Sequence, residues 1–265
     1  MDALESLFEK LWNQYSDVNI QAGQIHSLLR EKGENIVNDH IALRTFDLPL
    51  VNLEELSEHF KKFGYEEKGQ YEFTEKKLRA KHYELEGYPR VFISELKVGE
   101  FSPFLQKTVK KLVSSLSVED TRSESFLYSG VNWPEISYST YSRLLKESEY
   151  AAWMAVFGYV ANHFTISVNE LTTFKDLAEL NTFIKDAGFV LNSAGGEIKG
   201  GPEVYLAQSS TLASEVRVSF GDEEHLIPCC YYEFAQRYKM PDGKLYSGFV
   251  ASSADKIFES TDVKR

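Results

Sequence analysis

The sequence predicts an α+β fold made of two similar modules, and the main evidence is a strand pattern that occurs twice. Residues 38–46 and residues 161–168 each alternate apolar side chains with polar or small ones, as in a strand with two different faces. In both stretches a histidine, His40 or His163, directly follows an Asp or an Asn. The repetition indicates a duplicated module.

The spacing after the two histidines supports the duplication. Each histidine strand is followed by a helix-like stretch that ends at a glycine with an aromatic residue after it. Gly64 lies 24 positions after His40, and Gly188 lies 25 positions after His163. Unrelated segments seldom share a strand, a helix and a turn at one spacing. The prediction is therefore a single domain over residues 1–265, with modules at about residues 35–100 and 160–237.

The elements of the first module and its N-terminal extension follow from periodicity and capping. Apolar residues recur every three or four positions in the two N-terminal helices. Asn52 opens the helix of the module with a capping-box-like pattern, and Gly64 suits its left-handed C-cap. Aromatic and β-branched residues between charged or Gly/Pro turns predict strands. The prediction is helices over 2–15, 19–32 and 52–64, and strands over 38–46, 65–73, 78–86 and 90–98.

The stretch between the modules is predicted to be ordered. Ser102 and Pro103 give an N-cap followed by proline at the first helical position, so a linking helix begins there. Residues 114–150 are too aromatic for a flexible linker. Residues 151–160 form a short apolar run whose periodicity does not separate helix from strand, and we expect a short helix.

The second module is predicted to repeat the order of the first. Its glycine pairs read as turns between strands, because a phosphate-binding loop would need a Lys-Ser/Thr ending at a helix start. The predicted elements are a helix over 173–187, strands over 190–192, 203–209, 215–220 and 229–235, and turns at Gly195-Gly196 and Gly200-Gly201-Pro202.

Composition favours a small-molecule partner. A hydrophobic content of 43% over 265 residues supports a buried core, and a net charge of -11 opposes a broad electrostatic contact with nucleic acid or anionic lipid. No apolar run approaches the roughly 20 residues of a membrane span, and the N-terminus is acidic rather than signal-like. We therefore expect a cytoplasmic protein. Cys229 and Cys230 are adjacent, which disfavours a disulfide and indicates two packing thiols.

A metal site is predicted from the two histidines and one carboxylate. Glu233 lies among aromatic residues and thiols, where an unpaired charge would be costly. Two imidazoles and one carboxylate form the facial triad that suits non-haem Fe(II) and leaves positions open for substrate and O2. The alternative for each histidine is a structural role in the core, and for Glu233 an ion pair with Arg217 or Arg237. The equivalent placement of the two histidines favours His40, His163 and Glu233 as ligands.

At these residues the chain resembles the 2-oxoadipate dioxygenase/decarboxylase family. The stretches that carry the resemblance are Asn38-Asp39-His40-Ile41-Ala42-Leu43-Arg44-Thr45-Phe46, Asn162-His163-Phe164-Thr165, Gln208-Ser209-Ser210-Thr211-Leu212, Tyr231-Tyr232-Glu233-Phe234-Ala235-Gln236-Arg237 and Ser252-Ser253-Ala254-Asp255-Lys256-Ile257-Phe258. The resemblance implies two βαβββ modules that form a vicinal-oxygen-chelate-like open barrel around one iron. It also implies that His40, His163 and Glu233 are the iron ligands and the catalytic residues.

Three further site residues follow from the same resemblance. Arg44 matches the arginine that holds a substrate carboxylate, and Ser252 and Ser253 lie in the C-terminal segment that closes over the substrate. Residues 249–258 are too apolar for a disposable tail, which agrees with such a closing role. The characterised family members are longer between the histidine strands, so the resemblance leaves the chain length of the 2-oxo acid open.

The implied reaction is an oxidative decarboxylation followed by hydroxylation. A 2-oxo acid chelates Fe(II) through its carboxylate and keto oxygens, O2 takes a remaining position, and CO2 is released before the shortened acid is hydroxylated. With 2-oxoadipate the product would be 2-hydroxyglutarate. The alternatives are a non-redox lyase or isomerase that uses Zn, Ni or Mn, and a binding module without turnover.

Several side chains keep a second interpretation. Arg44 shares a strand face with His40 and could hold the distal substrate carboxylate, or it could form an ion pair with Asp39 or another acid. Gln208 could contact substrate or complete a hydrogen-bond ladder. Glu95 is predicted to form a structural ion pair. The remaining expectation is that His59, His82 and His225 are solvated.

Overall fold

This computed structural model describes residues 2–221 and 223–251. They contain ten strands and eight α-helices. The helices are α1 Ala3–Val18, α2 Ile20–Glu31, α3 Leu53–Lys61, α4 Pro103–Val113, α5 Val118–Arg122, α6 Tyr138–Glu147, α7 Glu149–Phe157 and α8 Leu177–Asp186. The strands are β1 Asn38–Phe46, β2 Glu66–Phe73, β3 Leu78–Glu84, β4 Arg90–Leu96, β5 His163–Ser167, β6 Lys199–Gly201, β7 Leu206–Ser210, β8 Glu215–Ser219, β9 Glu224–Pro228 and β10 Tyr231–Arg237.

Eight of the strands form one mixed sheet that is curled into a half-barrel. Their order is β2-β3-β4-β1-β5-β10-β7-β6, so each module supplies four neighbouring strands and the two modules meet at β1 and β5. The order is the same in both halves when it is followed outward from this central pair. The predicted duplication is therefore present in the sheet.

The pairing directions repeat between the halves as well. β1 pairs with β4 in parallel, as β5 does with β10, and every other pair in the sheet is antiparallel. The first module has the predicted βαβββ order, with α3 between β1 and β2. Since β1 and β5 are antiparallel, the two histidine strands enter the centre of the sheet from opposite ends.

The outer face of the central strands is covered by the N-terminal helix. Trp12 of α1 packs edge-on against Phe164 of β5 with ring centroids 5.2 Å apart, and Tyr15 lies 5.0 Å from the same ring. Odd and even positions of a strand point to opposite faces. His163 precedes Phe164, and His40 precedes Ile41, which lies opposite Phe164. Both histidines therefore point to the inner face.

The stretch between the modules is ordered, as predicted. It contains α4, α5, α6 and α7, and the short apolar run forms the expected helix, α7. Ser148 caps α7 by accepting a hydrogen bond from the backbone N–H of Ala151. The helix ends at Gly158, whose φ is +64°, and a Cβ there would collide with the backbone of Gly130. A glycine is required at this position because the two backbones pack directly against each other.

The second module differs from the prediction in its outer strands. Residues 190–192 form only an isolated bridge from Leu191 to Thr211, and the predicted Gly200-Gly201 turn is part of strand β6. The predicted strand at 215–220 exists as β8, but it pairs with β9 in a separate two-stranded sheet. These two strands lie between β7 and β10 in the chain. Glycine has a low β-propensity, so local preference favours a turn at Gly200 and Gly201. Pairing with β7 outweighs this preference.

The second module's helix also begins later than predicted, at Leu177 instead of residue 173. Asp176 is its N-cap and accepts a hydrogen bond from the backbone N–H of Glu179. Thr172 and Thr173 instead donate their backbone N–H groups to the buried carboxylate of Glu34. This long-range contact holds the chain ahead of α8 outside the helix.

None of the helices within the described ranges is both long and apolar enough to cross a membrane. Cys229 and Cys230 are free, buried thiols, as expected from their adjacency.

Candidate metal centre

Strand register brings the three predicted ligands together on the inner face. Thr165 of β5 lies opposite His40 on one side and opposite Glu233 on the other. His163 is two positions before Thr165, so it points to the same face. Residues that are directly opposite in neighbouring strands share a face and lie close together. The side chains of His40, His163 and Glu233 are therefore brought together at one place on the inner face of the sheet.

The ligand atoms of the triad are close enough to share one cation. Nε2 of His40 and Nε2 of His163 are 3.4 Å apart. His40 Nε2 lies 3.4 Å from Glu233 Oε1, and His163 Nε2 lies 3.5 Å from Glu233 Oε2. Two ligands at about 2.1 Å from one metal are separated by about 3 Å when they are at right angles. The three side chains are all buried, and their ligand atoms lie within 4.8 Å of one another.

Both imidazoles are oriented by the residue that precedes them. Nδ1–H of His40 donates to Asp39 Oδ1 at 2.8 Å, and Nδ1–H of His163 donates to Asn162 Oδ1 at 3.1 Å. Because a carboxylate and an amide oxygen only accept, each ring keeps its proton on Nδ1 and leaves the Nε2 lone pair for a metal. Burial lowers the pKa of both histidines, that of His163 most strongly, so both are neutral.

Asp39 connects His40 to the far end of the second module. Arg237, at the end of β10, donates from Nε to Asp39 Oδ2 at 2.6 Å and from its second terminal nitrogen to Oδ1 at 2.9 Å. Burial acts to raise the pKa of Asp39, but the charge of Arg237 and the hydrogen bonds outweigh it and hold the pKa well below its ordinary range. The residue behind His40 is thus a fixed carboxylate.

Glu233 has the electrostatics of a group that needs a cation. Burial raises its pKa to about 8, against the hydrogen bond from Gln208 Nε2, at 2.6 Å, and the positive charges of Arg237 and Lys199. The two arginines considered as partners are engaged elsewhere, Arg237 with Asp39 and Arg217 with Glu224. A divalent ion would offset the charge of the buried carboxylate. The donor set, with two neutral imidazoles and one carboxylate, therefore fits a metal.

Gln208 belongs to the site through Glu233. It lies on β7 opposite Ala235 and donates to Glu233 Oε1. The sequence left two interpretations of Gln208 open, and the contact seen in the structure is the side-chain hydrogen bond. Gln208 thereby fixes the orientation of the carboxylate.

Arg44 lies on the inner face and is paired with an acid that the sequence did not indicate. Its guanidinium donates to Glu149 Oε1 at 3.2 Å and packs 4.8 Å from the rings of both Tyr150 and Trp153. Asp39, the acid named in the alternative, is held by Arg237 instead. Arg44 is only 3% exposed, and with Glu149 it lines a surface cavity of ≈ 480 Å³ that the triad does not reach.

The segment after β10 reaches back to the first histidine. The guanidinium of Arg237 donates to the backbone carbonyls of Tyr246 and Gly248 at 2.9 and 2.8 Å. This places the ring of Phe249 edge-on over His40, with centroids 4.8 Å apart. The predicted substrate contacts Ser252 and Ser253 lie outside the described residues.

Two of the other histidines are buried, so the expectation that they are solvated was wrong. Nε2 of His59 lies 2.8 Å from the carbonyl oxygen of Thr121, and His82 contacts Tyr71 and Glu84. The hydrogen-bond partners of both are residues outside the triad. Glu95 pairs with Arg79 and accepts from the backbone N–H of Leu53, as a structural ion pair should.

Sequence reasoning missed the residues that support the triad. Asp39 and Asn162 were visible as the repeated acid or amide before each histidine, a pattern with a clear physical meaning once the rings are placed. Arg237 and Glu149 act across 198 and 105 positions, and no local signal marks these contacts.

Comparison with known proteins gives one consistent family. The model of the 2-oxoadipate dioxygenase/decarboxylase family matches residues 5–245. A rice protein named 2-oxoadipate dioxygenase/decarboxylase, chloroplastic/amyloplastic, is 37% identical over 93% of this chain and 75% of its own length. The crystal structure of the rice hydroxyglutarate synthase in complex with 2-oxoadipate has a TM-score of 0.93 at 35% identity, with 98% of this chain and 92% of that chain covered. The curated rice protein is longer than this chain, as expected, whereas the chain in the rice crystal structure is covered over 92% of its length.

Two other structures extend the comparison. A Shewanella frigidimarina protein, provisionally named a hydrolase, is 50% identical with a TM-score of 0.90, covering 95% of this chain and 99% of that one. A Ralstonia eutropha protein assigned to the glyoxalase superfamily has a TM-score of 0.74 at 22% identity, covers 92% of this chain and 85% of that one, and shows the shared fold alone. The open, two-module sheet is thus of the vicinal-oxygen-chelate type, and the chain belongs to the 2-oxoadipate dioxygenase/decarboxylase family.

Proposed function

We propose that this protein is an Fe(II)-dependent dioxygenase that converts a 2-oxo dicarboxylic acid such as 2-oxoadipate into 2-hydroxyglutarate and CO2. The observation that carries the proposal is the convergence of His40, His163 and Glu233 within 4.8 Å on the shared inner face of both modules. Family membership supports the reaction, and the rice structure with bound 2-oxoadipate supports the substrate class. The balance is one 2-oxoadipate and one O2 consumed for each 2-hydroxyglutarate and CO2 formed.

The triad would hold the metal through Nε2 of both histidines and the carboxylate of Glu233. Two histidines and one carboxylate suit Fe(II), which when bound supplies the open positions for chelation of the 2-oxo acid and for activation of O2. Asp39, Asn162 and Gln208 keep these groups in place through their hydrogen bonds. Since the ligands come from both modules, we propose that the whole chain works as one metal-dependent domain.

Arg44 is the proposed site for the distal carboxylate of the substrate. It is four residues from His40 on β1, a rise of about 13 Å, so its side chain can face the far end of an acid held at the metal. Glu149 already contacts this guanidinium. A substrate carboxylate would share Arg44 with Glu149 or displace it. Ser252 and Ser253 complete the proposed substrate contacts.

Phe249 supports the idea that the C-terminal segment closes the site. Its ring covers His40, and its backbone N–H donates to the hydroxyl of Tyr71 at 3.0 Å. Excluding water there prevents side reactions of reactive intermediates.

The cytoplasmic location stays a prediction, and the rice relative is named as a plastid protein.

Anaerobic purification, metal analysis and oxygen uptake test the proposal together. The protein is expected to bind one iron and to consume one O2 per CO2 released with 2-oxoadipate, more efficiently than with 2-oxohexanoate, which lacks the distal carboxylate. His40→Ala, His163→Ala and Glu233→Ala should each lose most of the iron and keep the fold, while His225→Ala, a change at a partly exposed histidine outside the triad, should keep the iron. Turnover with zinc and without O2 uptake would instead identify a non-redox lyase or isomerase.

A further inference from the structure

Tyr231 lies beside the candidate site, and its hydroxyl has no hydrogen-bond partner among the described residues. The side chain is fully buried, and its ring stacks on the ring of His163 with centroids 4.6 Å apart and an interplanar angle of 26°. A buried hydroxyl without a partner costs about 1–3 kcal/mol. Such a group in a functional site therefore calls for an explanation.

Strand register places Tyr231 between the metal ligands and Arg44. Tyr231 is two positions before Glu233, so both point to the inner face. It lies opposite His163, which in turn lies opposite Ala42. Ala42 is midway between His40 and Arg44 on β1. The phenol is therefore on the line along which a 2-oxo acid would extend from the metal towards the guanidinium.

The chemistry of the hydroxyl narrows the ligand atom. A phenol is protonated at neutral pH and can donate one hydrogen bond. Its ring stacks on the ring of His163, and it lies two positions before Glu233 on the same strand face. These contacts favour an acceptor at the metal-bound end of the substrate.

We propose that Tyr231 donates a hydrogen bond to a carboxylate or keto oxygen at the metal-bound end of the substrate. This inference rests on the proposed function and adds a substrate-positioning residue to it. Every 2-oxo acid carries these oxygens, so the contribution of Tyr231 is independent of the distal carboxylate. Arg44, by contrast, discriminates between acids with and without that carboxylate.

The neighbouring tyrosine provides a matched control. Tyr232 is equally buried, and its hydroxyl has no hydrogen-bond partner in the described part of the chain either. Its side chain points to the opposite face, where its ring packs 5.7 Å from that of Trp12. Tyr231→Phe and Tyr232→Phe therefore remove the same atom from adjacent residues on the two faces of β10. Replacing an unbonded hydroxyl by hydrogen should leave the thermal stability of both variants unchanged or slightly higher.

The test is calorimetric titration of the iron-loaded proteins with 2-oxoadipate and with 2-oxohexanoate under argon, alongside metal analysis. Tyr231→Phe is expected to keep its iron and to bind both acids about 10-fold more weakly. Tyr232→Phe is expected to bind both as the wild type does. Wild-type affinity in Tyr231→Phe, an equal loss in both variants, or a loss confined to 2-oxoadipate would each overturn the inference. If the wild-type protein binds neither acid, the proposed function fails and the inference fails with it.

Discussion

Asp39 links His40 to Arg237, and through Arg237 to the backbone carbonyls of Tyr246 and Gly248. A carboxylate behind a histidine ligand fixes the orientation of the ring and raises its basicity. The proposed metal site therefore depends on a residue that does not touch the metal. The equivalent histidine of the second module, His163, is oriented by the neutral amide of Asn162 instead.

Replacing Asp39 by Asn should weaken iron binding about 10- to 100-fold, because the negative charge behind His40 is lost. Arg237 also loses its buried counter-charge, so the free energy of unfolding should fall by about 3–5 kcal/mol. Competition with a chelator, measured well below the melting temperature, gives the affinity. The control is Asp17→Asn, which makes the same charge change at an exposed position. Unchanged iron affinity in Asp39→Asn would show that the contact is purely structural.

Arg44→Lys should change substrate selectivity. A guanidinium can bind a carboxylate with two parallel hydrogen bonds, which an ammonium cannot reproduce. We expect kcat/KM for 2-oxoadipate to fall by about 10-fold or more, with a much smaller fall for 2-oxohexanoate. Equal losses for the two acids would assign Arg44 to structure, through its contact with Glu149.

Glu149→Gln is the complementary variant. It removes the negative charge that competes for Arg44 and leaves the arginine in place. If Arg44 binds the distal carboxylate, KM for 2-oxoadipate should fall in this variant, and a rise would show that Glu149 positions the guanidinium.

The sequence could single out the three proposed ligands and Arg44 because each lies on a strand whose alternation is visible. The duplicated His40 and His163 patterns made the functional interpretation stronger than the structural one. The sequence left the role of Gln208 undecided because a contact with Glu233 depends on the register between β7 and β10. Register is set by long-range pairing and has no local signature.

At the scale of single elements, the loop before α8 is held by one buried carboxylate. Glu34 accepts hydrogen bonds from the backbone N–H groups and hydroxyls of Thr172 and Thr173. Burial acts to raise the pKa of Glu34, but these hydrogen bonds outweigh it and lower the pKa below 4.5. The end of α2 is thereby joined to the second module.

Glu34→Gln should lower the free energy of unfolding at pH 7 by about 1–3 kcal/mol. Because the folded pKa is below the unfolded one, the stabilisation is present above the ordinary glutamate range and is lost as the pH falls through the folded pKa. The difference between wild type and variant should therefore shrink at acidic pH in urea unfolding curves. Glu31→Gln, at an exposed position nearby, serves as the control. A difference that does not vary with pH would contradict the assignment.

The segment after β10 should govern the coupling of O2 consumption to product. Phe249→Ala removes the ring that covers His40 and opens that side of the site to water. We expect iron binding to persist, since Phe249 is not one of the proposed ligands, while more O2 is consumed per hydroxylated product. Oxygen uptake measured together with product yield checks this. A fully coupled variant would argue against closure by this segment.

At the scale of the whole molecule, the sheet is continuous across two modules and the proposed metal sits at their junction. His40 comes from β1, while His163 and Glu233 come from β5 and β10. A ligand that binds only the folded state stabilises it by mass action. The metal should therefore stabilise the association of the two halves.

Iron at 100 times its dissociation constant should stabilise the protein by about 2.7 kcal/mol. For a chain of this size that corresponds to a rise in melting temperature of about 5–10 °C. Anaerobic thermal unfolding with iron and with chelator measures the difference. His40→Ala should show almost none of it. An equal shift in that variant would mean that the metal binds elsewhere.

The overall fold was predictable to a different extent in the two halves. In the first module, aromatic and β-branched strands sit between clear turns, and every element was found. In the second, β6 contains two glycines and β8 pairs outside the main sheet, so composition and pairing disagree. Tertiary pairing decided both cases.

The duplication is incomplete at one position. Arg90 lies opposite His40 as Tyr231 lies opposite His163, so Phe92 in the first module stands where Glu233 stands in the second. The fold thus offers a place for a second carboxylate, which this chain fills with a ring packed 4.9 Å from Phe249. A glutamate at that position would turn a three-ligand site into a four-ligand one and remove an open coordination position. The number of coordination positions left for substrate and O2 would then depend on the side chain at position 92.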